Sequence, residues 1–239
     1  MKAIALFIKP NRSTLSQPVS QIVLQRGYGI VGDIHAQVGS PRQILIASQP
    51  VLEQYGLQPG NLHENILVDG AIESLNSGQV LQIADSQGGD ASCNALIRLT
   101  FRCEPCFNLD RIRPNLAKQL KGKRGFLGIV IQDGIVSKGD RISITPTAFP
   151  PLSDIPKERF TEFVARIPRG KVVRTREIIQ AIGVTRAHYR ILPTWIRQFS
   201  DFLPTHRIIS TEGLLMTQLN REQAQRLRDE GIKFGNCST

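Results

Sequence analysis

Cysteines, aromatic residues and long apolar runs are all scarce in this sequence. Four cysteines in 239 residues argue against a disulfide framework and suit a reducing compartment. No run approaches the roughly 18 apolar residues that a membrane-spanning helix needs. The apolar stretch Ala3–Ile8 stops at Lys9-Pro10 without a small-residue cleavage site, so it is too short for a signal peptide and predicts a first strand. We therefore expect a soluble, cytoplasmic protein with no membrane partner.

Acidic residues are outnumbered, and the excess of positive charge is uneven. The chain has 30 Lys and Arg against 20 Asp and Glu, a net charge of +10. Residues 1–150 hold 15 basic and 11 acidic residues, or +4, whereas residues 151–239 hold 15 and 9, or +6. All but three of the basic residues in the second part are arginines, which suit phosphate and base-edge contacts. The second part therefore favours an anionic partner such as duplex DNA.

Short apolar segments separated by turn signals dominate residues 1–150. Turns such as Asn76-Ser77-Gly78, Gly88-Gly89-Asp90 and Lys138-Gly139-Asp140 separate segments typical of an all-β barrel or sandwich. Two short helices are predicted at Gln49–Tyr55 and Asn115–Leu120. The predicted strands are Ala3–Ile8, Ile22–Leu24, Gln43–Ala47, Asn65–Val68, Val80–Ile83, Leu96–Phe101, Phe126–Ile131 and Arg141–Ile144.

The pair Cys103 and Cys106 follows one of these predicted strands. A Cys-x-x-Cys pair indicates zinc, redox chemistry, or one reactive or metal-binding thiol beside a passive neighbour. Structural zinc needs four ligands, and Cys93 and Cys237 are poorly spaced for a second pair, so no zinc is expected. A thioredoxin-type pair would open a helix, which the residues after Cys106 do not resemble. One reactive cysteine is the sharpest interpretation, and simple packing of both thiols is the alternative.

Several polar residues lie at the ends of predicted strands, and each also has an ordinary interpretation. Asp33 suits a turn, His35 suits a surface, and Glu64 and Asn65 suit loop residues that bond to the backbone. Arg42 precedes a predicted strand. Their significance changes when they are considered together with Cys106.

The combination resembles the MOSC domain, the C-terminal domain of molybdenum-cofactor sulfurases and their stand-alone relatives. The motifs that carry the resemblance are Gly32-Asp33-x-His35, Arg42-Gln43-Ile44, Leu57-x-Pro59-Gly60-x-x-x-Glu64-Asn65-Ile66, Leu75-x-x-Gly78, Glu104-Pro105-Cys106 and Gly134-Ile135-Val136-x-x-Gly139-Asp140. The resemblance implies a β-barrel-like fold. It also implies that Cys106 is the catalytic cysteine, which either carries sulfur or ligates the molybdenum of a pterin cofactor.

Further roles follow from this resemblance together with the chemistry of the side chains. Arg42 could bind a cofactor phosphate, and Glu64 and Asn65 could hydrogen-bond the pterin. Cys103 is either a resolving partner in sulfur transfer or a buried neighbour. With no sulfurase domain expected upstream, sulfur would come from an external donor such as a cysteine desulfurase. The predicted cofactor-binding residues are Asp33, His35, Arg42, Glu64, Asn65, Arg102 and Cys103.

Beyond residue 148 the pattern changes. Clustered prolines indicate a linker at residues 149–157, which separates a MOSC domain at 1–148 from a second domain at 158–239. Helical periodicity predicts helices at Pro156–Arg166, Thr175–Ala181 and Arg221–Glu230, with a third at Thr185–Phe199 that Pro193 starts, kinks or divides. A small hairpin is predicted at His206–Ser210 and Gly213–Met216. Overall we expect a mixed fold, in which a mostly-β barrel precedes a small α+β winged helix-turn-helix.

This second part resembles the DNA-binding domain of alkylguanine-DNA alkyltransferases. The resemblance rests on Phe163-Val164-x-x-Ile167-Pro168-Arg169-Gly170-Lys171-Val172-Val173, Ile182-Gly183 and Leu203-Pro204-Thr205-His206-Arg207-Ile208-Ile209. Thr205 occupies the place of the alkyl-accepting cysteine, so alkyl transfer is not expected. The resemblance implies binding of duplex or damaged DNA, with Arg190, or else Arg186, as the intercalating arginine. The predicted nucleic-acid-binding residues are Arg169, Lys171, Arg174, Arg176, Arg186, Arg190, Thr205, His206 and Arg207.

Two hypotheses follow, and they use different parts of the chain. In the first, the N-terminal domain binds a molybdenum-pterin cofactor or transfers sulfur through Cys106, as an oxidoreductase or a sulfur carrier. In the second, the protein binds DNA through its C-terminal domain. A scaffold that retains neither activity is the remaining alternative.

Overall fold

The computed structural model describes residues 1–84 and 94–233. Its compact units are Met1–Asp154, here the N-terminal unit, and the part from Ile155 onward, here the C-terminal unit. Cys93, Cys237 and the predicted turn Gly88-Gly89-Asp90 lie outside the described residues. Within those ranges, no helix is both long and apolar enough to cross a membrane.

The N-terminal unit is built on two β-sheets. The larger sheet has the order β11-β7-β8-β9-β5-β6-β1-β2, and the smaller has the order β10-β3-β4. Among the described residues, β5 with β6 is the only parallel pair in these sheets. The strands are β1 Ala3–Ile8, β2 Gln17–Val19, β3 Gln21–Gln25, β4 Gly29–Ile30, β5 Ile44–Ser48, β6 Ile66–Val68, β7 Gln79–Ala84, β8 Ala95–Arg102, β9 Phe126–Gln132, β10 Gly134–Ser137 and β11 Arg141–Ala148.

The larger sheet curls until the chain next to β11 meets the start of β1. The Ala3 N–H donates to the Asp140 carbonyl at 2.9 Å, and the Ile142 N–H donates to the Met1 carbonyl at 2.8 Å. The result is a half-barrel sheet inside a mixed fold, with a helical region at the C-terminus. This agrees with the predicted mostly-β N-terminal part and shows a barrel that is only partly closed.

The two faces of the curled sheet have different neighbours. Along β5, Ile44 and Ile46 point into the main core, because successive side chains of a strand alternate between faces. Leu45 points the other way and packs with Leu127 and Cys103 in a small separate cluster. We call the side of the sheet that carries this cluster the outer face.

Short helices pack against other residues of the outer face. Helix α1 spans Gln49–Gln54 and helix α2 spans Leu116–Gln119, close to the two helices expected from the sequence. A 3-10 turn at Phe107–Arg111 buries Leu109 in the same apolar cluster. This turn holds the chain that follows Cys106 against the sheet.

The C-terminal unit packs short helices around Phe160 and Trp195, whose ring centroids are 5.5 Å apart. The predicted third helix is divided into a 3-10 turn at Arg186–Arg190 and a helix that begins at Leu192, with Pro193 in its first turn. Proline suits this position because it has no N–H to donate. The elements are α3 Pro156–Ala165, β12 Val173–Arg174, α4 Thr175–Ala181, α5 Leu192–Gln198, β13 Ile208–Ile209 and α6 Gln223–Asp229.

The predicted hairpin at His206–Ser210 and Gly213–Met216 is not formed in the part of the chain that the structure describes. β13 instead pairs in parallel with β12. The Ser210 N–H donates to the Leu214 carbonyl at 2.8 Å, which closes a local turn. Among the described residues β13 pairs with β12 alone, so the antiparallel wing of the predicted winged helix is not formed there.

Candidate thiol pocket in the N-terminal unit

A pocket of about 210 Å³ on the outer face contains both cysteines of the Cys-x-x-Cys pair. Its walls come from chain segments that are far apart in sequence and that the sheet brings together. The lining residues are Lys9, His35, Arg42, Leu45, His63, Asn65, Cys103, Cys106, Asn108, Arg124 and Leu127. We refer to it below as the thiol pocket.

The two thiols differ in exposure. Cys103 follows β8 directly and is 2% exposed, because its N–H continues the ladder to the Gly125 carbonyl at 2.8 Å. Cys106 precedes the 3-10 turn, where its carbonyl accepts from the Leu109 N–H at 3.0 Å, and its side chain is half-buried. No disulfide joins them. Cys106 is therefore the thiol that a ligand can reach more easily.

Positive charge surrounds these thiols. Lys9, Arg42 and Arg124 all line the pocket, and Arg42 Nη2 lies 3.9 Å from the Cys103 sulfur. Among the described residues no Asp or Glu is part of the lining. A concave site lined by one sign of charge attracts ligands of the opposite sign. The thiol pocket is therefore suited to an anion.

Arg124 also has a structural role, because it ties two loops together. Its side chain is buried and donates to the Leu62 carbonyl from Nε at 3.2 Å and from Nη2 at 3.0 Å. Its Nη1 donates to the Glu104 carbonyl at 3.0 Å. One guanidinium thus connects the loop before β6 to the loop that carries Cys106.

Asp33 supports the pocket from behind. One carboxylate oxygen lies 2.8 Å from His35 Nδ1, and the other accepts from the Lys9 N–H at 2.8 Å and from the Asn65 side-chain amide at 3.1 Å. Burial disfavours the ionised form, but these hydrogen bonds from His35 and Lys9 outweigh it and lower the pKa of Asp33. Asp33 therefore positions His35 and Asn65, which both line the pocket.

Glu64, predicted as a cofactor contact, lies outside the lining. Its carboxylate is fully buried and accepts from the Gly60 N–H at 2.6 Å and the Leu62 N–H at 3.1 Å. Burial raises the pKa of Glu64, although these backbone bonds and Arg124 oppose the shift. Its observed role is to shape the loop that precedes β6.

Arg102, also predicted as a cofactor contact, does not reach the thiol pocket. Neighbouring residues of an extended strand point to opposite faces, so Arg102 faces away from Cys103. Its guanidinium lies 4.7 Å from the Phe126 ring centroid and donates to the Glu73 carbonyl at 2.8 Å. Arg102 is near Cys106 in sequence, but it is not among the residues that line the thiol pocket.

The structure adds pocket residues that sequence reasoning did not assign. Lys9 was treated only as the end of an apolar run, and Asn108 and Arg124 were not considered. His63 was not assigned a role from the sequence either. For two of them the sequence did carry a signal, which was their position at a strand end. Lys9 directly follows β1, and Arg124 lies just before β9.

In the C-terminal unit, three predicted nucleic-acid contacts are internal. Thr205 and His206 are buried, and His206 Nε2 lies 2.8 Å from a carboxylate oxygen of Glu230. Arg207 donates to the same carboxylate at 2.8 Å and to the Ile167 carbonyl at 2.6 Å. In this conformation these side chains stabilise the unit and are not presented to a partner.

The other predicted contacts of that unit lie at or near its surface. Five are exposed: Arg169, Lys171, Arg176, Arg186 and Arg190. Arg174 is partly buried beside Gly213, and Arg169 also donates to the Asp229 carbonyl at 3.2 Å. The cationic surface of this unit therefore comes from the turn before β12, from α4 and from the 3-10 turn before α5.

The N-terminal unit is thus a half-barrel with a pocket that contains two cysteines and is lined by cationic side chains. Within the described residues, no group of three or more His, Cys, Asp or Glu side chains could hold a metal ion. Residues 33–143 match the family model of the MOSC domain. The chain therefore contains a MOSC domain, as the sequence motifs predicted. The match ends before the C-terminal unit, whose resemblance to alkyltransferases stays a prediction.

Solved structures resemble this chain at low sequence identity. The YuaD protein from Bacillus subtilis is 22% identical with a TM-score of 0.51, over 62% of this chain and 96% of that chain. YiiM from Geobacillus stearothermophilus is 16% identical with a TM-score of 0.48, over 95% of this chain and 98% of that one. YiiM from Escherichia coli is 16% identical with a TM-score of 0.47, covering 85% and 95%. A search of curated protein sequences finds no match to this chain. The likeness to YuaD supports the fold alone.

Proposed function

We propose that the N-terminal unit uses Cys106 to bind a molybdenum-pterin cofactor. The observation that supports this most directly is the composition of the thiol pocket. An accessible thiol shares one cavity with Lys9, Arg42 and Arg124, and no carboxylate among the described residues lines it. Thiolate is a soft ligand suited to a sulfur-rich metal centre, and guanidinium groups bind phosphate by paired hydrogen bonds.

The size of the pocket limits which part of such a cofactor it receives. Pockets for drug-sized ligands span about 300–1,000 Å³, whereas the thiol pocket measures about 210 Å³. One end of the cofactor fits inside, and the remainder would lie against the surface. Cys106 would contact the metal, Arg42 and Arg124 would hold anionic oxygens, and Asn65 would supply a neutral hydrogen bond. When bound, the cofactor would supply redox or oxygen-transfer chemistry.

The small volume also supports a second function at the same cysteine, the transport of sulfur as a persulfide. A single sulfur atom on Cys106 needs little space, and the surrounding cations would stabilise its negative charge. Cys103 lines the same pocket and could act as a resolving thiol. The sulfur would come from an external donor such as a cysteine desulfurase.

The first experiment measures molybdenum per chain in protein from a host that makes the cofactor. We expect near-stoichiometric metal in the wild type, loss in Cys106→Ala, and retention in Cys103→Ala, the matched control. Loss in both variants would assign the effect to the fold of the loop. Absence of metal from the wild type would refute the cofactor proposal.

The sulfur-transfer alternative needs a different readout. Protein is incubated with a cysteine desulfurase and cysteine, and persulfide on Cys106 is followed by peptide mass spectrometry. The transfer role is supported if the Cys103→Ala variant still acquires sulfur on Cys106 but does not pass that sulfur to an acceptor. If Cys106→Ala changes neither metal content nor sulfur load, both versions of the proposal fail.

The exposed basic residues favour a separate role for the C-terminal unit, which we propose to be contact with duplex DNA. Phosphate contacts by arginine weaken steeply as salt rises, because binding releases counterions. We expect the affinity of the whole chain for duplex DNA to fall with salt and with Arg190→Ala, whereas Arg207→Ala acts through stability. Binding that is indifferent to salt and to Arg190→Ala would contradict this role.

A further inference from the structure

His63 has a backbone conformation that its residue type rarely adopts. Its φ is +58°, and among the described residues only Asn115 is another non-glycine residue with positive φ. The left-handed region is strained for a residue with a Cβ, and such strain tends to persist where surrounding structure imposes it. Here the imposing contacts are visible, because Glu64 binds the Gly60 and Leu62 N–H groups and Arg124 binds the Leu62 carbonyl.

The imidazole of His63 is also incompletely satisfied. Its ring lines the thiol pocket, yet Nδ1 is buried and has no hydrogen-bond partner. Leaving a buried polar atom unpaired is destabilising, because it has lost its bonds to water without replacement. His63 therefore combines a strained backbone with an incompletely satisfied ring in the wall of a pocket that is suited to an anion.

The charges around His63 are mostly positive. Burial is the largest influence and, together with the charges of Arg124, Lys9 and His35, it lowers the pKa of His63. The nearest carboxylates are committed elsewhere: Glu64 faces backbone amides, and Asp33 faces His35, Asn65 and the Lys9 N–H. Because its pKa is lowered, His63 is mostly neutral at pH 7, among side chains that carry positive charge.

We propose that His63 is a proton-linked anion contact, so that the thiol pocket takes up one proton on His63 when it binds a dianion of the sulfate, phosphate or molybdate type. A bound dianion offsets the charges of Arg124 and Lys9, which together with burial keep the ring neutral. The proton comes from solvent and joins a ring nitrogen, and no other bond changes. This inference rests on the proposed function, because it assigns the anion to the same pocket.

The test uses sulfate, whose charge is constant between pH 5.5 and 8. The chain has four histidines, at positions 35, 63, 188 and 206, so their ring Cε1–H signals can be resolved by NMR and assigned by substitution. Each is titrated with and without sulfate at ionic strength matched with chloride. We expect the His63 midpoint to move upward with sulfate, while His188 and His206 of the C-terminal unit serve as internal references.

Affinity must show the same linkage, because the coupling between two binding events is reciprocal. We expect sulfate to bind more tightly at pH 6 than at pH 8, by no more than about ten-fold per pH unit for a single linked proton. His63→Asn should abolish this dependence and preserve the fold, since asparagine tolerates the left-handed conformation. His35→Asn, a matched change in the same pocket, should weaken binding at both pH values and retain the dependence.

Several outcomes would overturn the proposal. These are an unmoved His63 midpoint, a pH dependence that survives His63→Asn, or one that disappears in His35→Asn instead. Absence of sulfate binding to the wild type would overturn both this inference and the anion-pocket argument. If the protein contains no molybdenum but shows the linkage between sulfate binding and His63 protonation, this inference stands and only the cofactor proposal is refuted. His63→Gly adds a check on strain, because it should raise the urea midpoint while the linkage is lost.

Discussion

Glu230 is the residue of the C-terminal unit whose replacement should have the most specific effect on stability. Its carboxylate accepts from the Arg207 guanidinium at 2.8 Å and the Gly170 N–H at 3.0 Å, and it lies 2.8 Å from His206 Nε2. The Glu230 side chain is only 9% exposed and that of Arg207 only 15%. Glu230→Gln preserves the shape, removes the charge and replaces one acceptor oxygen with a donor.

The size of the effect follows from the groups that would lose their partner. Arg207 would remain largely buried without its anionic partner, and one of the donors that face the carboxylate would face an N–H group. Breaking such a pair costs about 3–5 kcal/mol when it is deeply buried, and Glu230 still has some contact with solvent. We therefore expect Glu230→Gln to lower the free energy of unfolding of this unit by about 2–4 kcal/mol at pH 7.

The effect should depend on pH in one direction. The hydrogen bond from Arg207, helped by those from His206 and Gly170, lowers the pKa of Glu230 from 4.5 to about 2 in the folded chain. A carboxyl with a depressed folded pKa contributes stability above its unfolded pKa and loses it as pH falls through the folded value. The difference between wild type and Glu230→Gln should therefore be constant above about pH 5 and shrink between 4.5 and 2.

The single tryptophan makes the measurement specific to this unit. Trp195 is the only tryptophan of the chain and is buried in the C-terminal core, so its fluorescence in urea reports that unit. The matched control is Glu222→Gln, because Glu222 is 69% exposed and pairs with Arg226 one helical turn away. Exposed pairs of this kind contribute about 0.3–0.5 kcal/mol. Equal losses for the two substitutions, or a difference that persists at pH 2, would refute the reasoning.

Two predictions concern the N-terminal unit. Gly125→Ala should cost several times more stability in urea, followed by circular dichroism, than Gly122→Ala. Both glycines have positive φ, but only at Gly125 would a Cβ overlap the Ile46 carbonyl oxygen. Equal losses of stability for the two substitutions would show that the positive φ alone determines the loss. Gln43→Leu should lower the unfolding free energy by about 1–3 kcal/mol, because it leaves the Val130 N–H, now bonded to the Gln43 side chain at 3.0 Å, unpaired and buried. An unchanged urea midpoint for Gln43→Leu would contradict that role.

Much of the strand order along the chain could be predicted from sequence, because alternation and turn residues are local. β1 was predicted at its observed bounds, and β5, β7 and β9 within one residue at each end. β2 and β4 were missed because they have three and two residues and hardly any apolar pattern. β10 was missed because it has only four residues and begins with a glycine. Its pairing with β3 depends on distant residues that a local pattern does not contain.

The candidate site was harder to predict than the strands. Motif order led to Cys106, Arg42, His35 and Asn65, all of which line the thiol pocket. Arg124 could not be found in this way, because only the pairing of β8 with β9 brings the chain before β9 beside Cys103. The inner positions of His206 and Arg207 depend on Glu230, which was not part of the motif. In each case the missing information was a long-range contact.

The hydrogen bonds of Arg124 to two loops have a consequence for how the thiol pocket responds to a ligand. The Leu62 and Glu104 carbonyls belong to two different loops, one beside His63 and the other two residues before Cys106, and both are held by the same planar group. Lysine at this position would keep the charge but could not span both carbonyls in one fixed geometry. One side chain therefore joins the loop of His63 to the loop of Cys106, and we expect a ligand that displaces the first loop to shift the second as well.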